Sequence, residues 1–129
     1  MRVSLDTNAL LALLLPGREK ERQAVTKILT NNVCSVADIV FPEIEYVLCK
    51  EYGMPRSEIV VSIRVLANTE NILCNRVLLN RALSLYEVKS ALSFVDCCLV
   101  YYAQLNDAAP LYTSDKKLIN QSGGLAKAI

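Results

Sequence analysis

The sequence predicts an α/β fold: a central, mostly parallel sheet of four to five short strands with helices on both faces, in one domain spanning residues 1–129. Short apolar runs alternate with longer segments of helical periodicity, and that alternation is what a parallel sheet buried between helices requires. The breaks between segments are brief and carry Pro, Gly or Asn, with no linker, repeat or low-complexity tract. A length of 129 residues suits one domain that buries a substantial core without disulfide staples.

Residues 2–5 (RVSL) form the first strand candidate, and Asp6 stands where it ends. Thr7 or Asn8 is placed to cap a helix over Ala9–Leu15, which Pro16-Gly17 stops. A charged helix fits about 18–30, with Ala24, Val25, Ile28 and Leu29 at helical spacing and the REKER run facing water. VCSV at 33–36 is the second strand candidate. Pro42 suits the first turn of a helix reaching about Tyr52, since its fixed φ is tolerated there, and Gly53 ends the segment. Pro55, Ser57 and Glu58 open another helix that runs to about Ala67, and NILC at 71–74 follows as a third strand. Asn75 is placed to cap a helix from 76 to about 87 with Val77, Leu78, Ala82, Leu83 and Leu85 inward. Ser93 with Asp96 three residues later resembles a capping box for a helix ending near Gln104. LYT at 111–113 is the last clear strand, followed by a short helix near 115–121 and a Gly-Gly turn into a terminal LAKAI.

Apolar residues make up 53% of the chain and charged ones 21%, a globular rather than a disordered composition. So large an apolar share predicts an exposed patch for a homodimer or a partner protein, with Ile59, Val60, Ile63 and Leu66 as its candidates. No run approaches the ~18 apolar residues of a membrane span. Met1-Arg2 leads straight into a strand-like segment, so a cytoplasmic location is expected. The five cysteines are odd in number, match no metal signature and are expected as reduced thiols. Net charge is +1, from 14 basic and 13 acidic residues, which is too balanced to coat nucleic acid through charge alone.

Four acids sit where apolar runs begin or end: Asp6, Glu43, Asp96 and Asp115. Asp6 and Asp115 follow strand candidates, where open parallel sheets collect ligands. Glu43 and Asp96 fall in first turns of helices, where the helix dipole favours a carboxylate. Two like charges ~4 Å apart repel by ~4 kcal/mol at an effective dielectric of 20, so a cluster of four needs a shared cation or raised pKa values. With no histidine and no CxxC pair, an all-oxygen site for Mg2+ or Mn2+ is favoured over zinc. Such an ion suits phosphodiester hydrolysis by a metal-activated water. Glu45 competes with Glu43 for its role.

Taken in order, LDTNALL, PEIEYVL, FVDCCLVYYA and YTSDKKL resemble the PIN-domain family, in particular its VapC-like toxins. The resemblance implies a PIN-like three-layer α/β/α fold and a Mg2+- or Mn2+-dependent endoribonuclease. It assigns catalysis to Asp6, Glu43, Asp96 and Asp115, with Asp6, Asp96 and Asp115 on the metal. Thr7, Asn8 and Thr113 become groups that hold carboxylates or metal waters in place. It further implies a homodimer and a small antitoxin that blocks activity. Arg2, Lys116 and Lys117 are the nearest basic residues for phosphate contacts, and single-stranded or looped RNA is the expected substrate because its bases are accessible. A receiver-like signalling domain would need adjacent acids at the first strand and a central Asp, both absent. A phosphatase with an Asp nucleophile would need a carboxylate where Asn8 stands. A PIN-fold module that binds RNA or protein without cutting is the alternative.

Overall fold

Parallel pairing organises the first part of the chain. The computed structural model describes residues 1–129, which divide into two units, Met1–Asn75 and Arg76–Ile129. In the first, β1 (Arg2–Ser4) pairs with β2 (Val33–Ser35), and β2 pairs with β3 (Ile72–Leu73), giving the order β1-β2-β3. Val3 lies opposite Cys34, and Cys34 opposite Ile72. Backbone bonds from Leu5 to Ser35 (3.0 Å) and from Val36 to Leu73 (2.9 Å) carry the pairing past the strand ends.

Parallel neighbours need a crossover, and each crossover here is a helix pair. The first is α1 (Thr7–Leu14) with α2 (Glu19–Asn31), and the second is α3 (Val40–Lys50) with α4 (Arg56–Ala67). Their inward faces read directly from the pattern. Leu10 and Leu11 of α1, Phe41, Ile44 and Leu48 of α3, and Ile59 and Ile63 of α4 are buried, as are Cys34 and Ile72 of the strands. Fully burying such a side chain is worth about 1.5–3 kcal/mol, so the helices supply most of what these very short strands lack.

Several local expectations are revised. Asp6, not Thr7 or Asn8, caps α1: its Oδ1 accepts the Ala9 N–H at 3.0 Å. α3 starts at Val40, ahead of Pro42. Proline is tolerated there because the first four N–H groups of a helix have no intrahelical acceptor. On α2 only Val25 of the expected stripe is buried, while Ala24 and Ile28 are exposed. Arg22 leaves the water-facing REKER run. Its Nε donates to the Ala12 carbonyl at 3.0 Å, a terminal nitrogen donates to the Leu15 carbonyl, and the other meets Glu19 at 2.8 Å. The carbonyls at the end of α1 thus find a cation. The proposed exposed patch on α4 is also overturned, since Ile59, Val60, Ile63 and Leu66 are at most 3% exposed and form core. The outward apolar residues of α4 are Val61 and Val65.

The second unit contains α5 (Arg76–Val88), α6 (Phe94–Leu105), β4 (Leu111–Thr113), α7 (Lys116–Gln121) and β5 (Ala126–Ala128). α5 packs on α6, and Tyr86 meets Phe94 edge-on with ring centroids 5.3 Å apart. Leu78, Leu79, Ala82, Leu83, Leu85 and Tyr86 face inward, whereas Val77 is 53% exposed, contrary to expectation. β4 and β5 pair in parallel with Leu111 opposite Ala126, so the terminal LAKAI supplies a fifth strand. The turn before it uses Gly123 and Gly124 at φ 65° and 87°, where a side chain would be strained. The α/β class is therefore as the sequence predicts, with seven helices and five short strands, every pairing parallel and the strands divided three and two between two sheets.

All five cysteines are free, and burial pushes the Cys34 thiol above its ordinary value. No helix is long and apolar enough to cross a membrane.

Replacing Arg22 with Ala should cost about 1.5–3 kcal/mol in urea unfolding, because two carbonyls lose a charged donor. Arg22→Lys should recover only part of that, since an ammonium cannot fork between them. Ile63→Ala should cost about 2–5 kcal/mol in the same measurement; a loss under 1 kcal/mol would show that Ile63 is not core.

Candidate active site

In a parallel sheet the strand ends share one edge, and Asp6 lies just beyond Ser4 at that edge of the first unit. It enters α1 in an extended conformation and uses Oδ1 as the helix cap. Its second oxygen has no partner in the protein. A recess of about 460 Å3 opens beside it, lined by Ser4, Leu5, Asp6, Ala9, Ala37, Ile39 and Val40. These residues come from the end of β1, the start of α1 and the turn that follows β2, which is where ligands collect on open α/β sheets.

Glu43 reaches the same neighbourhood from α3. The Thr7 hydroxyl donates to Glu43 Oε2 at 2.7 Å, a charge-assisted bond across 36 positions of sequence. It turns the Glu43 carboxylate toward the start of α1 and leaves its other oxygen open. Arg22 pairs with Glu19 in this unit, but neither Asp6 nor Glu43 takes a lysine or arginine partner. The Thr7 hydrogen bond ties Glu43 to the Asp6 segment, and Glu45 is half-buried. Asn8 is exposed and makes no side-chain hydrogen bond.

In the second unit, Asp96 stands in the first turn of α6 and is half-buried. Ser93 caps the helix by accepting the Asp96 N–H at 3.1 Å, but the carboxylate does not return the bond a full capping box makes. Aspartate is one methylene shorter than the glutamate usual there, and its carboxylate stays uncommitted. Asp115 caps α7, its Oδ1 accepting from the Lys117 and Leu118 N–H groups at 2.9 and 3.2 Å. Thr113 supports that turn by accepting the Asp115 N–H at 3.1 Å, so it touches the backbone rather than the carboxylate. Lys116 and Lys117 are exposed at the start of α7.

The donors offered are carboxylate and hydroxyl oxygens, with no imidazole in the chain, which is the chemistry of a hard divalent cation. No group of three or more His, Cys, Asp or Glu side chains in the chain is placed to hold a metal ion. Acids with an open oxygen occur in each unit, Asp6 and Glu43 in the first and Asp96 and Asp115 in the second. Sequence reasoning missed Ala37 and Ile39 in the wall of the recess. An apolar residue in a loop carries no chemical signal; only the short gap between VCSV and FPEIE placed that turn near the strand ends.

No curated protein sequence matches this chain. The PIN domain model, by contrast, matches residues 3–123. PIN domains are nucleases that generally use divalent metal ions, in keeping with the oxygen donors above. With a match running from β1 into the glycine turn before β5, and with parallel strands linked by helices as that fold demands, the chain belongs to the PIN domain family.

Proposed function

We propose that this PIN domain is a Mg2+- or Mn2+-dependent endoribonuclease, the cytoplasmic toxin of a type II toxin–antitoxin pair. In this reading residues 1–129 act as a single domain in which Asp6, Glu43, Asp96 and Asp115 serve one site. The observation that carries it is the Thr7–Glu43 hydrogen bond. A surface glutamate held by a threonine hydroxyl, rather than by a basic residue, is oriented by a neutral donor. Asp6, Asp96 and Asp115 would hold the cation, and each has an oxygen that its helix cap does not use. When bound, the ion lends Lewis acidity to the phosphodiester and to the attacking water. Glu43 uses its open oxygen to orient that water and accept its proton. Thr113 fixes the turn that aims Asp115, Asn8 is free to hold a water of the ion, and Lys116 and Lys117 meet substrate phosphates.

Single-stranded or looped RNA is the substrate, because its bases can be reached. The toxin role, the small antitoxin partner and the homodimer are supported by the VapC-like form of the four acidic motifs.

Asp6→Asn and Asp96→Asn should each lower RNA cleavage at least a hundredfold while leaving the melting temperature unchanged or higher, since carboxylate repulsion is relieved. Wild-type cleavage that persists in excess chelator would exclude the mechanism. Millimolar Mn2+ should raise the wild-type melting temperature by several degrees by mass action and do less for Asp6→Asn. A module that binds without cutting would show neither the cleavage nor the metal-dependent shift. Thr7→Val should cost about ten- to a hundredfold in cleavage, the usual penalty for losing a group that orients an active-site carboxylate. Thr7→Ser, which keeps the hydroxyl, should restore most of it.

A further inference from the structure

One face of α3 is used by the core and the other is not. Val40, Phe41, Ile44 and Leu48 are buried, whereas Ile39, Glu43, Tyr46 and Lys50 are all exposed, Ile39 by 72% and Tyr46 by 60%. These four fall at i, i+4, i+7 and i+11, which is a single stripe along a helix. The stripe starts inside the candidate site: Ile39 lines the recess beside Asp6, and Glu43 is the residue held by Thr7. It leads away to Lys50 in the last turn. At 1.5 Å per residue the helix rises about 16 Å over that distance, enough for a few nucleotides.

From this juxtaposition we propose that the Ile39–Glu43–Tyr46–Lys50 face is the track on which single-stranded RNA enters the active site. Such a track presupposes the ribonuclease activity proposed above. Each residue type suits one part of an unpaired strand. The apolar wall around Ile39 accepts a base edge or face without asking for a particular hydrogen-bond pattern. The Tyr46 ring, lying in solvent, is a stacking platform for the next base, and stacking tolerates any sequence because every base has a π-face. Lys50 places a cation where the backbone leaves the protein. Glu43 sits between them, at the point where the strand reaches the candidate active site. A duplex, whose bases already stack on one another, gains nothing from Tyr46.

Binding measured without cleavage tests this. A fluorescein-labelled 12-residue polyuridine RNA, titrated by anisotropy in excess chelator, should bind Tyr46→Ala about tenfold more weakly than wild type and Tyr46→Phe within about twofold, because phenylalanine keeps the ring. Lys50→Ala should lower the slope of log affinity against log salt by about one. A blunt RNA duplex should show no Tyr46 dependence. Because the Tyr46 and Lys50 side chains are both exposed, melting temperatures within about 2 °C of wild type will separate lost contacts from lost fold. Equal affinity of wild type and Tyr46→Ala overturns the track, whether or not the wild type cuts RNA. Tyr46-dependent binding in a protein that never cleaves RNA leaves the stripe an RNA-binding face and removes the nuclease, and with it the track as an entry to an active site. Absence of any binding to this RNA overturns the track, while the cleavage assay above decides the nuclease separately.

Discussion

Parallel pairing of β1 with β2 and of β2 with β3 is the constraint that the first unit obeys throughout. It forces a helical crossover between successive strands, and it turns all three strand ends to one edge. The strands themselves are two or three residues long and offer few ladder bonds. Their position is fixed instead by apolar helix faces, with Leu10, Ile44, Leu48 and Ile63 all fully buried. The sheet edge that receives Asp6, Ala37 and Ile39 is thus defined by packing remote from it. A chain so arranged can place polar side chains at the strand ends without asking them to contribute to stability.

The acids at those places serve two purposes at once. Asp6 and Asp115 each satisfy orphan helix N–H groups with one oxygen and keep the other. Capping also sets the carboxylate at the positive end of a helix, where its charge is favoured and repulsion from other acids is partly offset. At α6 the division differs, because Ser93 does the capping and Asp96 remains wholly uncommitted. Thr7 plays the corresponding part for Glu43, which has no cap to make in the interior of a first turn. Hydroxyls and amides, rather than lysines or arginines, orient the carboxylates of Asp6, Glu43 and Asp115. Neutral donors fix geometry without cancelling charge, and uncancelled charge is what a cation site needs.

Much of the fold was legible in the residues because the breaks carry their own stereochemistry. Pro16-Gly17, Gly53, Pro55 and the Gly123-Gly124 turn mark ends that the structure places within a residue or two. What escaped were choices between neighbours. Asp6, Thr7 and Asn8 are all competent caps, and only the backbone, extended at Asp6, decides that Asp6 takes the role and frees Thr7 for Glu43. Val77 and Leu78 are equally apolar, and helix phase alone buries one of them. Apolar content identified α4 as a rich helix, but its Ile and Leu residues face the core and only Val61 and Val65 look outward. Arg22 was the deepest miss, since a basic residue in a charged run has no sequence mark of the carbonyls it caps. At the candidate site, Asp6 and Glu43 stand out by their apolar company, whereas Ile39 and Ala37 could be found only once the turn after β2 was placed.

The two faces of α3 are not independent. Four buried side chains fix its rotation about its own axis, because turning the helix by one residue, about 100°, would pull Phe41 or Ile44 from the core at a cost of several kcal/mol. That rotation also decides which residues look outward. Glu43 therefore meets Thr7, and Tyr46 and Lys50 align behind it, as a consequence of where Val40, Ile44 and Leu48 are buried. The proline in the first turn adds to this by holding φ where the helix begins. Positioning of the glutamate is set by an apolar core that never touches a substrate. Conservative changes in that core, such as those that shift α3 by a fraction of an ångström, bear on the site through the 2.7 Å bond at its edge, which is short enough to register them.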